Sequence, residues 1–133
     1  MSEERKVVIV ACAGMDKPLG SIGRASVFKV VENLKPEDSV LVCIPPLVAG
    51  VKTHSELIKK YPVITVDGCS ERCATKIVVK NGGKIRGRVF IPQSVQKYRL
   101  KPKASSDIGL EGEKLAEKIA DEIAFLVSKI LRK

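Results

Sequence analysis

The chain has 133 residues, 44% of them hydrophobic and 4% aromatic, with a formal net charge of +9. That length suits one domain with its own core, the hydrophobic share excludes a disordered chain, and the scarcity of rings makes the core aliphatic. No apolar run reaches the roughly 18 residues of a membrane span, and the charged opening Met-Ser-Glu-Glu-Arg is unlike an export signal, so the expectation is a soluble, cytoplasmic protein with no membrane partner.

KVVIVA (6–11) is a continuous β-branched run, the signature of a strand buried on both faces in a parallel sheet. Residues 21–34 then carry apolar positions at helical spacing, with Ser21 as the N-cap and Pro36 enforcing an end. SVLVCI (39–44) reads as a second buried strand stopped by Pro45 and Pro46, followed by a loop or short turn over 47–51. Thr53 and Glu56 have the spacing of a capping box, which predicts a short helix to about Lys60 and exposes His54, the single histidine. VITV (63–66) is a third strand, 70–80 a helix, and Asn81-Gly82-Gly83 its stop. RGRVFI (86–91) is a fourth strand ended by Pro92, and 93–103 has no clear type. A long helix over about 110–131 closes the chain, with Leu115, Ile119, Ile123, Leu126, Val127 and Ile130 in one stripe. That stripe can pack on its own sheet or on a second subunit, which leaves a homo-oligomer open.

Alternation of strands and helices predicts a single α/β domain over 1–133. It has three layers, a mostly parallel sheet of about four strands in the order 2-1-3-4, and helices on both faces. This topology bears on the four cysteines, which a reducing compartment keeps as thiols. Cys12 follows the first strand, Cys43 sits near the end of the second, and Cys69 follows the third. The carboxyl ends of parallel strands share one edge, and strands lie about 4.8 Å apart, so the three thiols are expected to meet where such sheets place ligands. Cys73, four residues beyond Cys69, would share its helix face. Four thiols suit zinc in a tetrahedral site or, alternatively, an iron–sulfur cluster. They also suit a redox or nucleophilic site using Cys69, Cys73 and Cys12, and a buried cysteine is often only a small apolar side chain.

The tripeptide Asp67-Gly68-Cys69 with Cys73 resembles the DGC domain family, named for that motif. Cys12 in VACAG, the helix entry 19–23 and CIPPLVAGV around Cys43 fit the same pattern, which covers roughly 5–80 and not the basic stretch beyond it. The resemblance implies an α/β domain with Cys12, Cys43, Cys69 and Cys73 as zinc ligands, and it supplies no reaction.

Around these ligands, Gly68 permits a sharp turn and Asp67 accepts backbone N–H bonds or supports the ligands. Lys17, Ser21, Arg24, Arg72 and Lys76 are candidate contacts to an anion or to the negative charge of a thiolate-bound metal. The helix entry lacks a G-x-G-x-x-G or P-loop pattern, and Cys12 lacks the C-x5-R arrangement of a thiol phosphatase. From Arg72 to Lys103 there are ten cations and no acid; this is either a solvated face or, as a third reading, a nucleic-acid surface with only Phe90 and Tyr98 to stack bases.

Overall fold

Two strands run through the centre of the molecule with every residue buried, β1 (Val7–Ala11) and β3 (Val63–Asp67). The computed structural model describes residues 5–12 and 17–132. β2 (Ser39–Leu41) and β4 (Ile85–Phe90) flank the central pair, giving one four-stranded sheet in the order β2-β1-β3-β4. Every pairing is parallel, as in Val8 opposite both Val40 and Val63, and Val66 opposite Val89. The predicted fold and strand order are both present.

The continuous apolar runs divide between two cores because successive side chains leave a strand on opposite faces. Val7, Ile9, Ile64 and Val66 pack with α1 (Pro18–Lys29) and α6 (Gly109–Leu131). Val8, Val10 and Val63 pack instead with Leu47 of α2 (Ile44–Ala49), Ile58 of α3 (Lys52–Lys60) and Ala74 and Val78 of α4 (Cys73–Lys80). The α6 stripe lies on its own sheet, with Leu115, Ile119, Ile123 and Val127 fully buried. Each such side chain contributes on the order of 1.5–3 kcal/mol by burial. Among the described residues no helix is long and apolar enough to cross a membrane.

Prolines account for most departures from the sequence reading. Pro45 and Pro92 were expected to end strands, yet α2 and α5 (Ile91–Tyr98) each carry proline in the first turn, as α1 does at Pro18. There the missing N–H has no intrahelical partner to lose and the fixed φ suits the helix. Thus β2 ends at Leu41, and 44–49 is a helix rather than a strand end and loop. Likewise 91–98 is helical and β4 stops at Phe90. Ser21 is not an N-cap: it lies inside α1, and its hydroxyl donates to the Ser105 carbonyl at 2.5 Å. The helix continues through a π-helical turn (Val30–Leu34), closed by the Lys35 N–H on the Val30 carbonyl, before Pro36. The capping box at Thr53 does not form, because α3 begins two residues earlier than that cap would set and Val51 occupies the cap without a side-chain bond. His54 is therefore half-buried instead of exposed, with Nδ1 enclosed and without a hydrogen-bond partner among the described residues.

The helix after β3 begins at Cys73, not at residue 70. Cys69 and Cys73 consequently do not share a helix face. Cys69 opens a turn in which the Arg72 N–H donates to the Cys69 carbonyl at 3.1 Å, and Arg72 adopts a left-handed φ of 50°. At the other end α4 stops as expected. Gly82 takes a φ of +82°, and the N–H groups of Gly82 and Gly83 close back on Val79 and Val78.

Candidate metal centre

The carboxyl ends of the strands form one edge, and three strand-to-helix junctions there carry the cysteines. Cys12 follows β1 directly, its N–H donating to the Val66 carbonyl of β3 at 3.0 Å. Cys43 is the extended residue that caps α2 and is exposed. Cys73 is the first residue of α4 and is half-buried. These three line one cavity of about 540 Å³, although they stand 31 and 30 residues apart in the chain. All four cysteines are thiols rather than disulfides.

Among the described residues, the rest of that cavity wall is apolar except for one guanidinium. Val27 and Phe28 of α1, Leu41 of β2, Ile44 of α2 and Ile77 of α4 surround the thiols, and Arg24 reaches in from α1. Cys69 is half-buried in the preceding turn and does not line this cavity. Among the described residues, no three of His, Cys, Asp and Glu stand close enough to grip one ion. The donor types match a soft metal, and the wall supplies a cation to offset thiolate charge. Neither the three thiols that line the cavity nor Cys69 in its turn is drawn together as in an assembled site. Ala13 and Gly14 of the VACAG motif lie outside the described residues.

What holds the Cys69 turn is legible atom by atom. Asp67, at the end of β3, is 2% exposed. Its Oδ1 accepts the Ala74 N–H at 2.9 Å, and its Oδ2 accepts the Thr75 hydroxyl at 2.6 Å. Thr65 of β3 lies 3.0 Å from the same Thr75 hydroxyl. Asp67 thus caps α4 from outside the helix, satisfying an N–H that the first turn leaves without a partner. Gly68 has a different task from the one its sequence suggested. It does not adopt a left-handed φ. Instead, a Cβ there would stand 3.3 Å from the Leu19 Cβ and 3.4 Å from the Leu19 backbone, so the residue lets the turn lie against the first turn of α1. Arg72, strained in φ, stacks its guanidinium 4.2 Å over the ring of Phe90 at the end of β4.

The other candidate anion contacts divide. Arg24 faces the thiol cavity, and its Nη2 also reaches the Ser21 hydroxyl at 3.5 Å. Ser21 is already engaged by Ser105. Lys17 is exposed at the start of α1, and exposed Lys76 pairs with Glu71 at 3.8 Å. Thr75 and Phe90, which fix the turn, were missed in sequence. Neither follows a spacing rule, since each acts through a partner brought near by the sheet. His54 lies outside the cavity lining.

The family model for the DGC domain matches residues 8–123. This span runs well past residue 80, so the basic stretch and much of α6 belong to the family's pattern and are not an appendage to it. No curated protein and no solved structure matches the chain.

Proposed function

On the premise that the chain belongs to the DGC domain family, we propose that it is a metal-binding module whose Cys12, Cys43, Cys69 and Cys73 hold one zinc ion. The observation that supports this most is the meeting of Cys12, Cys43 and Cys73 at one cavity from three separate segments. Cys69, in the adjoining turn, is the fourth donor, and binding requires all four thiols to draw together around the ion. Zinc held by four thiolates is a closed site with no position for water, so its contribution is to stiffen this edge of the fold or to present a surface. Arg24 offsets the negative charge of the thiolates, while Asp67 and Gly68 set the turn from which Cys69 and Cys73 project. An iron–sulfur cluster is the alternative occupant of the same donors. A reducing compartment, the cytoplasm, keeps the thiols available.

A second reading has its own observation. Three thiols and a guanidinium in a cavity of about 540 Å³ whose described wall is otherwise apolar also fit a small-molecule site with a cysteine nucleophile or redox pair, since such pockets run about 300–1,000 Å³. Elemental analysis of protein purified without added metal or chelator separates the two, run beside Cys12→Ser, Cys43→Ser, Cys69→Ser and Cys73→Ser. One zinc per chain, lost or weakened in every variant, is the expected result. Iron with visible absorbance selects the cluster. No metal, with four titratable thiols and a reversible disulfide, overturns the metal reading in favour of thiol chemistry.

A further inference from the structure

The amino-terminal edge of the same sheet carries a second cavity, of about 410 Å³, with a different lining. Arg5 and Lys6 reach it from ahead of β1, Lys59 and Lys60 from the last turn of α3, and Lys84 and Arg86 from the start of β4. Among the described residues, no carboxylate lines it. Among the described residues, no ion pair involves Arg5, Lys59, Lys60, Lys84 or Arg86.

Two ordinary explanations cover part of this. Lysines suit the last turn of a helix, and cations on an edge strand discourage pairing with another chain. Neither explains why cations from three segments converge on one concavity. Like charges gathered in a concave site raise the local potential and the affinity for anions.

The positive surface also continues. Arg86 and Arg88 are two residues apart on β4, about 6.7 Å along a strand, and Arg88 lines the next cavity together with Lys97 and Lys118. Phe125, 68% exposed, stands in that cavity's wall. Asp121 and Glu122 lie there too, and Glu122 is engaged by Tyr98 at 2.6 Å and Lys97 at 3.5 Å. We infer that this track binds the phosphate backbone of a single-stranded nucleic acid, with Phe125 stacking one base. A compact polyphosphate would use the first cavity alone, whereas the track runs past it to a bare ring. A duplex offers that ring no unstacked base.

The test is fluorescence anisotropy of a labelled oligothymidine with the full chain over a salt series. Inorganic triphosphate and a duplex of equal length serve as competitors. The expected slope of log K against log salt is about −3 to −5, because each phosphate contact on a single strand contributes roughly −0.7. Lys59→Gln with Lys60→Gln should weaken binding about tenfold or more and reduce the slope by about 1.4. Phe125→Ala should weaken binding about tenfold with the slope unchanged. Val48→Ser, at an exposed position of α2 outside both the track and the thiol cavity, should bind as the parent does. A melting curve for each variant verifies that it is folded. Absence of binding at low salt, a slope near zero, or a Lys59/Lys60 variant that binds as the parent does overturns the inference. Displacement by triphosphate at equal phosphate concentration overturns it in favour of a compact anion, and equal affinity for the duplex overturns the single-strand preference.

Discussion

At the carboxyl ends of its strands the sheet gathers three thiols and an aliphatic wall around one guanidinium, and at the amino ends it gathers six cations around a tyrosine. The same four parallel strands build both edges. Parallel pairing sends every strand-to-helix junction to one edge and every helix-to-strand junction to the other. The first edge therefore collects helix starts, with Cys43 capping α2 and Cys73 opening α4. The second collects helix ends, with Lys59 and Lys60 closing α3. Helix starts carry partial positive charge and helix ends partial negative charge, so each set of side chains stands where the backbone field suits it. The two edges differ in how tightly they are held. The Cys69 turn is fixed by a buried carboxylate, a stacked arginine and a close backbone approach, whereas the cations of the other edge are mostly long, exposed side chains.

Substitutions that separate the edges follow from this difference. Asp67→Ala should have the largest effect. It leaves the Ala74 N–H and the Thr75 hydroxyl without their acceptor, and a lost cap plus a stranded buried donor cost about 2–4 kcal/mol together. Denaturant unfolding should read that loss, with any metal content falling alongside it. An Asp67→Ala protein as stable as the parent would show that the turn is not held as described. Gly68→Ala comes next, at about 1–2 kcal/mol, because the added methyl presses on the Leu19 backbone and must move α1 or the turn. The same substitution should leave the amino-terminal edge unchanged, which oligonucleotide affinity can check.

At the amino-terminal edge the sign should reverse. Lys84→Glu places an acid among the other cations of this cavity and should raise stability by a few tenths of a kcal/mol at low salt, an increment that vanishes at high salt. A decrease that persists at high salt would mean that Lys84 contributes packing rather than repulsion. The smallest effect belongs to Tyr98, between the two edges. Its hydrogen bond to Glu122, then burial, raises its pKa above the usual 10.0. A phenol whose pKa is raised on folding contributes stability that is present below the unfolded value and is lost as pH rises through the folded one. The melting temperature should thus fall more steeply above pH 10 in the parent than in Tyr98→Phe, and Glu122→Gln should lower the tyrosinate titration.

Much of the carboxyl edge was legible because its signals are local. The runs KVVIVA and VITV are apolar at every position, and a strand of that kind must be covered on both sides. The thiols stand close behind such strands, so naming the strands locates the thiols. The starts of helices were misread where proline was taken as a stop, since a proline that ends a strand and a proline that opens a helix are the same residue in sequence. The amino-terminal edge was hidden for a different reason. The acid-free stretch from Arg72 to Lys103 drew attention as a unit, yet Arg72 stacks on Phe90 at the opposite edge. Arg5, Lys6, Lys59 and Lys60, which complete the basic cavity, lie far outside that stretch.

The sequence alone determined the layers, the strand order, the edge on which the thiols collect and the family to which the motif belongs. Each of these rests on periodicity, short spacing or a contiguous motif. Tertiary structure decided the rest. It placed Cys69 in a turn ahead of α4 rather than on its face, gave Gly68 its purpose against Leu19, and joined Lys59 and Lys60 to Lys84 and Arg86. The reason is physical: burial, close approach and electrostatic potential depend on distances through space, and residues remote in the chain are brought within those distances only when the sheet has formed.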